Sequence, residues 1–338
     1  MPTATTPREQ RTTRPRLPPW LRAEIPSGEA LRVFNRTQGA VDAGALHTVC
    51  EEARCPNIHD CWGRGTATFM VAGKECTRGC RFCSVQTLKA PALPESEEPQ
   101  RLAEAAERMG LKYVVVTVVN RDDLPDGGAG HYRACVEALD RRIPGVGVEL
   151  LGSDLGGDFD ALRQLLGEAG SNTPSRLPLR VFAHNVECVA RLDKQVRDPR
   201  ASFDLSLAVL TEAKRLRPDL ATKSSLMVGL GETDDEVVQA MRGLRGAGVD
   251  IVTLGQYLTP GRPGERFLPV DRYVSPEQFD RYRDAAYDIG FAGVASGPMV
   301  RSSFRAGVLY EATRSGRRVE QLLAEDEPEV VGLTGGAS

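Results

Sequence analysis

The chain has 338 residues, with 43 Lys plus Arg against 46 Asp plus Glu and a formal net charge of -3. That length suits one large α/β barrel or two ordinary domains, and the near-neutral balance gives no global argument for a nucleic-acid partner. No stretch approaches the roughly 20 consecutive apolar residues that span a bilayer, and no apolar segment follows the start methionine, so a cytoplasmic protein with no membrane partner is expected.

The first 22 residues carry Arg8, Arg11, Arg14, Arg16 and Arg22 with a single acid, Glu9, and several prolines. Arg-rich, acid-poor composition suits a transit peptide, but proline interrupts the amphipathic helix such a peptide forms. A flexible arm that begins docking near Pro18-Pro19-Trp20-Leu21 is the better expectation. Cys50, Cys55 and Cys61 come next, spaced Cys-x₄-Cys-x₅-Cys. By itself this spacing leaves a zinc knuckle or a redox pair open.

A strand at 66–71 then runs into Cys76-Thr77-Arg78-Gly79-Cys80-Arg81-Phe82-Cys83. Three thiolates on one tight loop can hold three corners of a four-iron cluster and leave one iron free for chemistry. Structural zinc wants four ligands, usually in paired Cys-x₂₋₄-Cys form. Six clustered cysteines of eight fit metal ligation in a reducing compartment better than a disulfide framework. Cys135 and Cys188 have no pattern around them and read as ordinary buried cysteines.

From residue 95 onward helical and strand patterns alternate, as in a parallel sheet with crossover helices. Leu102, Ala105, Ala106 and Met109 recur at helical spacing, with Gly110 as a stop. The β-branched run 113–119 reads as a strand buried on both faces. Thr233-x-x-Glu236 is a capping box ahead of Val237, Met241 and Leu244, and Ser275-Pro276 opens a helix with Phe279, Tyr282, Ala286 and Ile289 on one face. Strands near 67–72, 113–119, 146–151, 179–184, 222–229 and 249–256 make six β/α units. The expected fold is an α/β, partial six-unit barrel of the TIM type, with Cys76 at the C-terminal end of its first strand, the face where barrel chemistry sits.

Several strings carry two readings. Gly229-Leu230-Gly231 could cradle a phosphate, but it lacks the third glycine and the lysine of the standard fingerprints, so a tight turn is favoured. Asp122, Asp123 and Asp126 could form an acidic metal loop or a turn after the second strand. His184 is a satisfied structural histidine or a group near substrate. Lys223 is a steering charge or a strand-end charge.

The Cys76 loop, with an aromatic before its third cysteine and a strand before its first, closely resembles that of radical S-adenosylmethionine enzymes. The string His47-Thr48-Val49-Cys50-Glu51-Glu52-Ala53-Arg54-Cys55-Pro56-Asn57-Ile58, then Cys61-Trp62, resembles the auxiliary-cluster segment of the lipoyl synthase family. The resemblance runs on through Arg121-Asp122-Asp123-Leu124-Pro125-Asp126-Gly127-Gly128-Ala129, Ala183-His184-Asn185-Val186-Glu187, Thr222-Lys223-Ser224, Gly229-Leu230-Gly231-Glu232-Thr233, Gly255-Gln256-Tyr257-Leu258 and Gly297-Pro298-Met299-Val300-Arg301-Ser302-Ser303.

It implies a sulfurtransferase that inserts two sulfur atoms at C6 and C8 of an octanoyl group on a carrier-protein lysine, at the cost of two S-adenosylmethionine molecules. Cys76, Cys80 and Cys83 would hold the 4Fe-4S cluster that binds S-adenosylmethionine. Cys50, Cys55, Cys61 and Ser303 would hold a second, auxiliary 4Fe-4S cluster, the sulfur source, with Ser303 as its labile ligand. The implied partners are octanoylated lipoyl domains of 2-oxoacid dehydrogenase E2 subunits and the glycine-cleavage H protein, a ferredoxin or flavodoxin donor, and an iron-sulfur carrier that rebuilds the spent cluster.

The corresponding division is an arm at 1–22, an N-terminal extension at 23–64, the barrel at 65–295 and a C-terminal extension with tail at 296–338, the two extensions covering the barrel mouth. The chain departs from the family where members carry a His pair soon after Gln-Tyr-Leu: here the stretch 259–269 is longer and holds Arg266-Phe267. Phe304 replaces a Tyr, and Gly152-Ser153-Asp154 replaces Ile-Pro-Asp. Two rival readings are a different radical enzyme with an auxiliary cluster, which need not require Ser303, and a non-catalytic cluster protein, which has no use for a barrel this long.

Overall fold

The computed structural model describes residues 17–22, 27–44, 46–52, 55, 57–63, 68–168, 179–261 and 265–326. Most of the N-terminal arm, the tail after 326 and part of the 259–269 stretch lie outside the described residues. Of the expected docking segment, Pro19–Leu21 forms a single 3-10 turn that buries Leu21 while Trp20 stays exposed.

The strands in chain order are β1 (His47–Thr48), β2 (Thr68–Val71), β3 (Glu75–Cys76), β4 (Gln86–Thr87), β5 (Tyr113–Val118), β6 (Gly147–Leu151), β7 (Leu179–Ala183), β8 (Ala221–Val228), β9 (Ile251–Gln256) and β10 (Gly293–Gly297). The helices are α1 (Gly28–Ala43), α2 (Val49–Glu52), α3 (Ile58–Gly63), α4 (Glu98–Arg108), α5 (Ala129–Arg142), α6 (Phe159–Leu166), α7 (Asp193–Val196), α8 (Phe203–Leu216), α9 (Asp234–Gly246), α10 (Pro276–Ile289), α11 (Ala306–Ser315) and α12 (Val319–Asp326).

One sheet runs β1-β2-β5-β6-β7-β8-β9-β10, parallel throughout except that β1 pairs antiparallel with β2. Each strand lies beside the next in sequence, as right-handed crossovers through the intervening helices produce. The six expected strands are present, and β10 is a seventh parallel strand, in register with β9 from Gly293↔Ile251 to Gly297↔Gly255. Its sequence, Gly-Val-Ala-Ser-Gly, is poor in β-formers; the backbone ladder and the fit against α11 make it a strand, not its propensity. Gly293 shows the fit: a Cβ there would meet Thr313 Oγ1 at 2.9 Å.

Among the described residues no pairing joins β10 to β2, so the barrel is open. The free edge of β2 is taken by β1, which covers unpaired backbone groups and brings the first cysteine segment to the first barrel strand. The helix signals hold. Thr233 caps α9 with a reciprocal capping box to Glu236, and Ser275 caps α10 with Pro276 at the first helical position. Three apolar cores follow, the smallest of them under α11 and α12 with Ile251, Val300 and Leu309. Of the other two, one lies under α4, α5 and α6 and includes Leu102, Tyr132, Leu139 and Leu150; the second lies under α9 and α10 and includes Met241, Leu244, Phe279 and Tyr282.

Candidate active site

The loop after β2 is built for rigidity. Ala72, fully buried, takes the left-handed conformation at φ +69°, which costs a non-glycine residue about 1–2 kcal/mol. It is held on both sides: its N–H donates to Glu98 Oε2 at 2.8 Å, and its carbonyl accepts from Arg121 Nη1 at 3.1 Å. Beyond it, β3 pairs with β4 and the Leu88 N–H donates to the Cys76 carbonyl at 2.9 Å, closing the loop that carries Cys76, Cys80 and Cys83.

The sulfurs of this loop already receive backbone donors. Cys76 Sγ accepts from Arg78 N at 3.4 Å and Asn120 N at 3.3 Å, and Cys80 Sγ accepts from Asp198 N at 3.3 Å. Burial pushes the Cys80 thiol up to about 11 and Cys83 up to about 12. Such thiols stay protonated near neutrality until a metal cation exchanges for the proton. The donor set therefore fits an iron-sulfur cluster: soft sulfur ligands that want a cation, with amide hydrogens aimed at them.

Arg78, inside this loop, is an almost fully buried cation. Its Nη2 lies 2.7 Å from Asp122 Oδ1 and its Nη1 lies 2.5 Å from Asp154 Oδ2. Burial works to raise both carboxyls, but hydrogen bonds and charge from Arg78 overcome it and hold them below the ordinary carboxylate range. The fork ties the loop to the segments after β5 and β6, and Gly79 N donating to Asp198 Oδ2 at 2.9 Å ties it to the segment after α7. Asp154, the last residue of the Gly152-Ser153-Asp154 stretch, carries the more buried half of this fork.

The other cysteine segment is assembled differently. Thr48 caps α2 with Glu51, the Cys55 N–H donates to the Cys50 carbonyl at 3.0 Å, and the Cys61 N–H donates to the Asn57 carbonyl at 2.9 Å. Against α1, Phe34 stacks at a tilt on Trp62 with centroids 5.5 Å apart, and Thr37 donates to the Trp62 carbonyl at 3.1 Å. Burial again pushes the thiols up, Cys61 to about 12. Besides the β1–β2 pairing, Ser84 donates to the Glu52 carbonyl and Asn57 Nδ2 donates to the Met299 carbonyl at 2.5 Å, joining this segment to the barrel loop and to the turn after β10.

Met299 stands in the turn after β10 that presents Arg301, Ser302 and Ser303. That turn presses on β9 so closely that a Cβ at Gly255 would meet the Val300 carbonyl at 2.1 Å, which only glycine permits. Cys50, Cys55, Cys61, Cys76, Cys80, Cys83 and Ser303 all line one cavity of about 910 Å³. Cys135 and Cys188 are buried and do not line it, as expected of them.

The ambiguous strings resolve. Glu232 accepts from Gly229 N at 2.7 Å and Leu230 N at 2.9 Å, so these amides serve a tight turn and none is free for a phosphate. Asp122 pairs with Arg78, Asp123 pairs with Arg121, and Asp126 caps the start of α5; none of the three lines the cavity. Lys223 is buried in the barrel against Glu149 at 2.7 Å. His184 donates from Nδ1 to the Gly152 carbonyl at 2.9 Å, and its Nε2 accepts from Ser206 at 3.0 Å; burial lowers it to about 4, so it is a neutral, satisfied imidazole at the cavity wall.

Glu98, His131 and Cys135 converge outside the cavity, but Glu98 Oε2 is already engaged by Ala72 N and by His131 Nε2 at 2.5 Å. They form a clasp behind Ala72. Sequence reasoning gave no role to Glu187, which lines the cavity at φ +66° with Asn185 Nδ2 donating to its carboxylate at 3.1 Å. Burial raises its pKa, and a left-handed, non-glycine carboxylate facing a cavity is suited to gripping a polar ligand. Nothing in the string Ala183-His184-Asn185-Val186-Glu187 announces that backbone conformation.

Comparison with known proteins agrees with this architecture. The radical SAM superfamily model matches residues 70–244, and a model of the N-terminal domain of lipoyl synthase of that family matches residues 4–55. The lipoyl synthase of Marinobacter nauticus is 49% identical over 312 residues, covering 92% of this chain and 85% of the relative. That of Thermus thermophilus is 51% identical over 298 residues, covering 88% of each, and that of Halorhodospira halophila is 51% identical over 307 residues, covering 91% and 87%. On matches of this depth across a cavity that gathers both cysteine triads, the chain belongs to the lipoyl synthase family of radical S-adenosylmethionine enzymes.

Proposed function

We propose that Cys76, Cys80 and Cys83 hold the 4Fe-4S cluster that binds S-adenosylmethionine, and that Cys50, Cys55, Cys61 and Ser303 hold the auxiliary 4Fe-4S cluster. The observation that carries this assignment is the meeting of all seven side chains on one cavity. The activity is the family's: a sulfurtransferase acting on octanoyl groups of lipoyl-domain carriers, at C6 and C8 of the chain. When bound, the clusters and S-adenosylmethionine supply a radical able to take hydrogen from unactivated carbon, together with the sulfur.

The protein's own part is placement and exclusion of water. Val118, Leu151, Leu226, Leu258 and Val270 give the cavity an apolar wall suited to an eight-carbon chain. The Ser84–Glu52 contact fixes the two cysteine segments relative to each other and the Asn57–Met299 contact fixes the first of them against the Ser303 turn, which matters because proximity decides which C–H bond reacts. Glu187 and Asn185 offer a carboxylate and an amide to polar parts of a ligand. A serine oxygen grips iron less firmly than thiolate does, which suits a cluster that gives up sulfur.

The division into arm at 1–22, extension at 23–64, barrel at 65–295 and C-terminal extension at 296–338 goes with this reading, the two extensions supplying the auxiliary ligands. A ferredoxin or flavodoxin as electron donor, an iron-sulfur carrier for rebuilding and a reducing cytoplasmic setting complete it, supported by eight free cysteines. Among the described residues no helix is long and apolar enough to cross a membrane.

The test is anaerobic reconstitution with iron and sulfide, followed by reductant, S-adenosylmethionine and an octanoylated lipoyl-domain peptide, with products read by mass spectrometry. The expected product is the peptide carrying two added sulfurs. Cleavage of S-adenosylmethionine with no sulfur on the peptide sinks the sulfurtransferase reading and leaves the radical-enzyme class.

A further inference from the structure

We propose that Arg266 is a positioning residue for the cysteine loop 76–83, gathering the loop's carbonyls so that the turn through Cys80 and Cys83 is formed before iron arrives. The inference rests on the assignment of those cysteines as ligands. Arg266 Nη1 donates to the Cys80 carbonyl at 3.1 Å, and Nη2 donates to the Cys83 carbonyl at 2.8 Å and the Val85 carbonyl at 3.1 Å. Converging carbonyl dipoles repel one another unless a cation sits among them, and the planar guanidinium fork satisfies several at once where a lysine ammonium cannot match the geometry.

The contact is reciprocal. Arg81 Nε donates to the Arg266 carbonyl at 3.1 Å, and the Leu268 N–H donates to the Arg81 carbonyl at 3.2 Å, so the two loops are laced together by one side-chain and one backbone donor. The amide side of the cysteine loop is held from elsewhere, by Arg81 N to the Val196 carbonyl at 2.8 Å and Gly79 N to Asp198. On the carbonyl side the 193–200 segment reaches only the start of the loop, where Arg200 Nη2 donates to the Thr77 carbonyl at 2.7 Å, and Arg266 supplies the hold on the Cys80 and Cys83 carbonyls. Its guanidinium lies 4.8 Å from the ring centre of Phe267, which lines the cavity, so the same loop reaches from the outer face of the cysteine turn to the cavity wall.

The test is amide hydrogen exchange on the full-length, metal-free chain, comparing the native sequence with Arg266→Ala and Arg266→Lys. Arg266→Ala should speed exchange at Cys83 and its neighbours about tenfold, leaving α5 and the 55–61 segment unchanged, with Arg266→Lys restoring part of the protection. After anaerobic loading, the reduced cluster of the Cys76 loop in Arg266→Ala should show a broadened electron paramagnetic resonance signal that sharpens in Arg266→Lys.

Exchange at Cys83 that superposes on the native chain overturns the proposal, and so does acceleration spread evenly over the whole chain. If the loop loosens as expected but a Cys76→Ala/Cys80→Ala/Cys83→Ala chain loads as much iron as the native one, the cluster assignment fails and the positioning role survives.

Discussion

The two cysteine segments share a cavity but are held in opposite ways. Cys76, Cys80 and Cys83 lie on one short loop that is clasped by a buried arginine fork, two pinned backbone turns and amides aimed at sulfur. The Cys50, Cys55 and Cys61 segment sits outside the main barrel, borrows one strand pairing at the sheet edge, and meets the Ser303 turn through Asn57 and Met299, which are 242 residues apart in sequence. A ligand set carried by one rigid loop persists through turnover. On the proposed assignment, one assembled from distant pieces around a serine oxygen can be opened and refilled, so the difference in construction suits one cluster that is kept and one that is spent.

The largest expected effect comes from breaking the rigid side. Arg78→Met leaves Asp154 buried without its cation, a loss of about 3–5 kcal/mol by the usual cost of stranding one partner of a buried pair. Denaturant unfolding should show it, and the variant should load iron poorly at the Cys76 loop while the other triad still loads.

Acid titration sharpens the same point. Asp122 and Asp154 are held below their unfolded values, so their contribution is complete above the ordinary carboxylate range and is lost as pH falls through the folded values. The stability gap between native chain and Arg78→Met should therefore close on acidification; a gap that widens contradicts the fork. On the assembled side the effect should be smaller. Asn57→Ala frees the Met299 carbonyl and costs about 1–2 kcal/mol, with iron lost selectively from the auxiliary site. Smallest of all, Thr233→Ala removes a cap that is not part of the cavity lining, about 1 kcal/mol, and should leave product yield unchanged.

Much of this contrast was legible in the sequence because it rests on local rules. The capping box at Thr233, the stop at Gly110 and the buried run from Tyr113 follow from propensity and periodicity, and cysteine spacing located both triads. What was hidden depends on pieces far apart in the chain. Strand β10 is stabilised by its neighbours and not by its residues. Arg78 reads as filler between cysteines until Asp122 and Asp154 converge on it, and Glu187 reads as one letter of a family string until its backbone turns it into the cavity. Ser303 could be joined to the first triad only through family resemblance, because no spacing rule connects residues that far apart; the Asn57–Met299 contact sets the turn that carries Ser303 against the segment of that triad.

On the proposed assignment Ser303 closes the site of Cys50, Cys55 and Cys61 and has no part in the site of Cys76, Cys80 and Cys83. The most direct measurement is a single-turnover assay of Ser303→Ala, loaded anaerobically and given S-adenosylmethionine and octanoylated lipoyl-domain peptide, with cofactor cleavage and sulfur insertion followed together. Retained cleavage with sulfur insertion reduced at least about tenfold, the scale of effect seen when groups that orient metal ligands are removed, is the predicted result. Sulfur insertion equal to that of the native chain would contradict it.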